Sequence, residues 1–148
     1  MAQLTAGDTQ AAEVPVELVI GLVLGLFVAQ TLLAPTLRYL AAGPGVADRL
    51  WVALGPRDVQ PPETPGSSRA ARALVNLQEA LPVFLTVALL HVVRGTGDAA
   101  AAWALAFLVA RVLYVPAYLS GVRGLRSLVW SSGWVGLGGM FVALVPPR

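Results

Sequence analysis

Four long apolar segments dominate the chain, running roughly from Leu18 to Leu40, Ala73 to Val93, Ala99 to Leu119 and Leu125 to Val145. Each is close to the ~20 residues needed to cross a bilayer as a helix. The pattern predicts helices over about 16–40, 69–94, 99–119 and 125–146, with a loop at 43–68 between the first two. That loop holds Pro44, Pro56, Pro61, Pro62 and Pro65 and four glycines, so it is long for so small a protein. Within it, Val46 to Leu54 can form a short interfacial helix with Leu50, Trp51 and Leu54 on one side. Ser67 or Ser68 is the expected N-cap of the second long helix, and Asp98 that of the third. Gly21-x-x-x-Gly25 has the spacing of close helix packing, as do the small residues Ser131, Ser132, Gly133, Gly136, Gly138 and Gly139 of the last segment. The fold class is therefore all-α: one integral membrane four-helix domain over residues 1–148.

Composition sharpens this picture. Of 148 residues, 57% are hydrophobic and 12% charged, about half the charge of an ordinary soluble domain. No signal peptide is expected, because the first segment follows Asp8, Glu13 and Glu17 with no Lys or Arg before it. All ten basic residues are Arg. Arg38, Arg49, Arg57, Arg69 and Arg72 flank the first connection, and Arg123 and Arg126 the third. The opposite side carries Arg94 and Arg148. The positive-inside rule then places the first and third connections in the cytoplasm and both termini outside, in a bacterial inner membrane. No basic stripe with interleaved aromatics exists to suggest nucleic acid. The absence of cysteine excludes disulfides, thiolate metal sites and a cysteine nucleophile, and no metal site is assigned.

Candidate chemistry lies where polar residues interrupt the apolar runs. Arg72, Asn76 and Glu79 stand at i, i+4 and i+7, on one helix face over ~10 Å of rise. Arg111, Tyr114 and Tyr118 repeat the arrangement on the third helix. Ionisable groups at membrane depth are costly, ~2.5 kcal/mol or more for a central acid, and point to a site. Glu79 can instead neutralise Arg111 and fix the register of two helices. The two faces can also form a pocket for a zwitterionic or anionic ligand, with arginine forks for carboxylates and the glutamate for an ammonium group. A proton pathway has thinner support, since there is one buried acid. Arg38 is either a snorkelling side chain or an anion contact reaching a neighbouring cleft. His91, alone near the outer end of its helix, reads as an interfacial residue.

R-x-x-x-N-x-x-E-x-x-P-x-F (Arg72 to Phe84), R-x-x-Y-x-x-x-Y (Arg111 to Tyr118) and L-R-S (Leu125 to Ser127), in that order, resemble the MAPEG family of membrane-associated proteins in eicosanoid and glutathione metabolism. Gly-Pro-Arg-Asp at 55–58 and R-S-x-x-W from Arg126 to Trp130 resemble its bacterial branch. The resemblance implies a four-helix bundle assembling as a homotrimer, with glutathione between subunits. It implies that Arg72, Asn76, Glu79, Arg111, Tyr114 and Tyr118 contact the tripeptide, and that Arg126 stabilises the thiolate. Arg38 would approach from the adjoining subunit. Departures are Val75 and Ala80, where some members carry arginine and tyrosine, and a one-residue difference in the Tyr118–Arg126 spacing that leaves Arg123 as a competitor. The implied reactions are conjugation of glutathione, or another small thiol, to a lipophilic electrophile and reduction of a lipid hydroperoxide, with detoxification or lipid metabolism as context. The alternative is a non-catalytic lipid-binding or scaffold protein.

Overall fold

The computed structural model describes residues 14–56, 58, 60–122 and 124–145. Arg57, Arg123, Arg148 and residues 1–13 lie outside them, and with them the rival candidate for Arg126. Regular structure among the described residues consists of five helices: α1 (Val16–Leu40), α2 (Val46–Leu54), α3 (Pro65–Arg94), α4 (Gly97–Ser120) and α5 (Leu125–Ala143).

Local chemistry sets the ends of these helices. α3 begins at Pro65, ahead of the expected serine cap, because Thr64 is the N-cap. Its Oγ1 accepts from the Ser67 backbone N–H at 3.0 Å, and the Ser67 hydroxyl accepts from the Thr64 N–H at 2.9 Å. Proline in the first turn costs nothing here, since that N–H lacks an intrahelical partner anyway. α3 closes with Gly95 at φ 66. The Gly95 N–H bonds the Val92 carbonyl at 3.1 Å and the Thr96 N–H bonds the His91 carbonyl at 2.9 Å, the paired bonds of a Schellman end. The tight turn sends α4 back along α3, and Asp98 falls within the first turn of α4.

Three helices, α1, α3 and α4, are long and apolar enough to cross a membrane, with mean hydropathies of 2.2, 1.7 and 1.7. α5 falls short of that apolarity because Arg126, Ser127, Ser131, Ser132 and its glycines dilute the run. Between 22% and 44% of each apolar window is buried within the chain, so much of the remainder is left for lipid or other copies. α2 lies beside the end of α1 with Leu50, Trp51 and Leu54 all exposed, Trp51 at 79%, as an interfacial helix would present them. Gly21 and Gly25 meet nothing within 4 Å, and their face of α1 is open in the single chain.

The core joins Val16, Val19 and Val23 of α1 to Ala80, Phe84, Val87 and Ala88 of α3, and to Ala104 and Phe107 of α4. Phe84 and Phe107 stack with ring centroids 4.6 Å apart and planes within 8°, fixing the register of α3 against α4. α4 and α5 pack through a glycine ladder. Trp103, Phe107 and Arg111, four residues apart, meet Gly139, Gly136 and Gly133, three apart. This is a ridge of four-residue spacing in a groove of three-residue spacing, the packing of nearly antiparallel bundle helices. A Cβ on Gly136 would lie 2.9 Å from the Phe107 backbone nitrogen, so only glycine allows the approach.

His91 is fully buried and joins three elements, contrary to the interfacial expectation. Its Nε2 faces the Met140 carbonyl at 2.9 Å, and its Nδ1 faces the Thr96 hydroxyl at 2.8 Å. Met140 belongs to the last turn of α5, whose carbonyls lack intrahelical donors. One turn along α3, Arg94 donates to the Leu144 carbonyl at 3.2 Å. The last turn of α3 thus caps the end of α5.

Candidate functional site

At the opposite end of the bundle, α3, α4 and α5 bring their polar residues together. Arg72 and Glu79 are exposed and Asn76 is half-buried on α3. On α4, Arg111 is 2% and Tyr114 4% exposed, while Tyr118 is half-buried. Arg126 occupies the first turn of α5, its Cζ 5.2 Å from the Tyr118 ring centroid. The Tyr118 ring in turn meets that of Tyr114 edge-on at 5.4 Å.

Two adjoining clefts share Tyr118 and Arg126. One, of about 490 Å³, is lined by Arg69, Arg72, Tyr118, Gly121 and Arg126 among others. The second, of about 300 Å³, is lined by Asn76, Tyr114, Tyr118, Arg126, Ser127 and Trp130. The first is a cationic mouth. The second carries an amide, hydroxyls and an aromatic wall. Gly121, at φ 71, packs directly on the Arg69 guanidinium, which donates to the Leu119 carbonyl at 2.8 Å. That contact ties the end of α4 to α3 and shapes the mouth.

Arg111 stands behind the second cleft and is not among the residues lining it. Its Nη1 donates to Asn76 Oδ1 at 3.0 Å, while Nε and Nη2 have no hydrogen-bond partner. Its Cζ lies 4.9 Å from the Phe107 ring centroid. Asn76, and not Glu79, is therefore the partner that α3 gives Arg111.

A family model described as the MAPEG family matches residues 16–145. The chain belongs to the MAPEG family. The match spans all five helices, and together with the three long apolar helices it makes this MAPEG chain a membrane protein. No curated protein matched it.

Within the MAPEG chain, Arg72, Asn76, Tyr114, Tyr118 and Arg126 gather around the two clefts, Arg111 lies one layer behind, and Glu79 lines neither. Arg38 lies elsewhere, in a cleft of about 460 Å³ with Tyr39, Gln60 and Glu63. Its guanidinium donates to the Pro61 carbonyl and, at 2.8 Å, to Gln60 Oε1. Besides small and apolar residues, Arg69, Ser127 and Trp130 line the shared clefts, and none of the three was assigned to the site from the sequence. Arg69 continues the Arg72 stripe one turn earlier, and Trp130 stands four residues after Arg126 on the same face. Those helical spacings were the available signal.

Proposed function

We propose that this protein is a membrane-embedded glutathione-dependent transferase or peroxidase acting on lipophilic electrophiles or lipid hydroperoxides. The adjoining pair of clefts, with Arg72 and Arg126 at the mouth and Asn76, Tyr114 and Tyr118 inside, is the observation that carries the proposal. MAPEG proteins are in general related to glutathione. The donor set suits a peptide-like anion: guanidinium forks take carboxylates, and the amide and phenols serve peptide groups. Volumes of about 490 and 300 Å³ fall within the range of small-molecule sites.

Glutathione would supply the nucleophilic sulfur when bound. Arg126 would favour its thiolate by its charge, aided by the positive end of α5. Each tenfold gain in thiolate corresponds to ~1.4 kcal/mol. The apolar flanks of α4 and α5 would admit the second substrate from lipid.

The assembly belongs to the same proposal. Gln78 and Glu79 are exposed halfway along a membrane-spanning helix, a position too costly to leave facing lipid. A homotrimer would cover them and bring Arg38 to a neighbour's cleft. α5, packed on α4, would be a fourth span, with both termini outside the cytoplasm of a bacterium. A second reading has its own support. Asn76 and Arg111 bind each other, as they would in a non-catalytic lipid-binding or scaffold protein that uses the polar row for register.

Calorimetric titration of glutathione into detergent-purified protein tests the proposal. Saturable binding that is lost in Arg72→Ala, with Arg126→Ala retaining binding but losing thiol-dependent turnover, is the expected result. Absence of binding to folded wild-type protein, or no change of any property in Arg126→Ala, would favour the scaffold reading.

A further inference from the structure

We infer that Arg111 acts as a positioning residue that turns Asn76 into a hydrogen-bond donor toward the cleft, so that the ligand group seated there is a carboxylate or a peptide carbonyl. An arginine side chain has only donors, so the Asn76 atom facing Nη1 at 3.0 Å must be its oxygen. The amide is planar, and fixing Oδ1 on Arg111 leaves Nδ2 pointing away from it. Asn76 lines the second cleft and Arg111 does not, which puts the NH2 group on the cleft side.

The lock is stiff because Arg111 has little room to move. Its guanidinium lies over Phe107, which is itself stacked on Phe84. On the other side Gly133 approaches so closely that an added Cβ would sit 3.3 Å from Cζ, Nε and Nη2. A flipped Asn76 would set donors against donors beside a buried cation and forfeit its charge-assisted hydrogen bond. The cleft therefore favours an acceptor over an ammonium group at this point. The identity of the ligand rests on the functional proposal above, but the orientation of the amide does not.

Asn76 is the sole asparagine of the chain, so protein labelled with 15N-asparagine gives one side-chain NH2 pair. In ligand-free wild-type protein its order parameter should be near the rigid value of ~0.85, falling below ~0.6 in Arg111→Met. Arg111→Lys, which keeps a cationic donor, should restore much of the rigidity. Glutathione should shift the Nδ2 signal, and Asn76→Asp should fold, since it still offers Arg111 an oxygen, yet bind glutathione at least ~10-fold more weakly.

An unchanged order parameter in Arg111→Met would overturn the lock. If Arg111→Met does not fold, the Lys variant decides: a rigid Asn76 amide supports the lock, and one as mobile as an unrestrained side chain overturns it. Asn76→Asp binding glutathione as wild type overturns the donor role. Glutathione that binds by calorimetry without moving the Nδ2 signal sinks this inference and leaves the functional proposal standing. Neither heat nor shift sinks the functional proposal, and the ligand-free relaxation then decides the lock by itself.

Discussion

Replacing His91 should destabilise the protein far more than replacing Arg94, although both side chains cap the same helix end. His91 is fully buried, and His91→Ala removes its contacts to Met140 at 2.9 Å and Thr96 at 2.8 Å. Two hydrogen bonds contribute ~1 kcal/mol each, and a buried carbonyl stranded at Met140 adds ~1–3 kcal/mol. The expected loss is therefore ~3–5 kcal/mol, which for a chain of this size lowers Tm by on the order of 10 °C. Arg94 is exposed and its bond to Leu144 is a longer 3.2 Å, so Arg94→Met should change stability by no more than ~0.5 kcal/mol. His91→Gln, which keeps a donor, should recover part of the difference. Thermal unfolding of the variants in one detergent measures the ranking. His91 stands about 22 Å along α3 from Asn76, so the glutathione affinity expected under the proposed function should stay within about twofold for the folded fraction. Equal losses in His91→Ala and Arg94→Met, or a collapse of binding in folded His91→Ala, would refute the capping argument.

The glycine ladder predicts opposite effects at neighbouring positions. Gly136→Ala meets the backbone of α4 at 2.9 and 3.0 Å and should cost ~1–3 kcal/mol, whereas Gly138→Ala meets nothing within 4 Å and should gain ~0.5–1 kcal/mol; thermal unfolding reads both. Thr64→Ala should remove ~1 kcal/mol by opening the reciprocal cap with Ser67, and hydrogen exchange should show the loss confined to the first turn of α3. With Trp103, Trp130 and Trp134 replaced by phenylalanine, Trp51 fluorescence should be quenched more by lipids brominated near the headgroup than by those brominated deep in the chains. Stronger deep quenching would remove α2 from the interface.

Hydropathy made the long helices legible, because a run such as that of α1 has no polar interruption between Glu17 and Gln30. It could not locate the start of α3, where the reciprocal bonds between Thr64 and Ser67 draw the helix back to Pro65 and leave the serines inside it. α5 was read as a fourth apolar span, but among the described residues only α1, α3 and α4 are apolar enough to count as such, since the residues that build its glycine groove are those that dilute its hydropathy. The two polar faces could be read from spacing alone. Which member of one meets which of the other could not, because the Phe84–Phe107 stack sets that register between residues distant in sequence. Asn76 and Glu79 lie three residues apart on one stripe, and a modest rotation of α3 chooses between them as the partner of Arg111. His91 was misplaced for a related reason: its partners, Thr96 and Met140, meet only after the chain has turned back twice.

The glycine ladder that seats Arg111 also bears on how this protein would respond to selection. A guanidinium held away from water with one amide partner is a cohesive liability, and such buried charges are commonly improved upon by well-packed apolar replacements. Heat-resistant variants gathered without regard to ligand should therefore accumulate changes at Arg111 and Asn76 early. They would be sturdier in detergent and easier to crystallise, and they would no longer hold the amide in the orientation that the cleft requires.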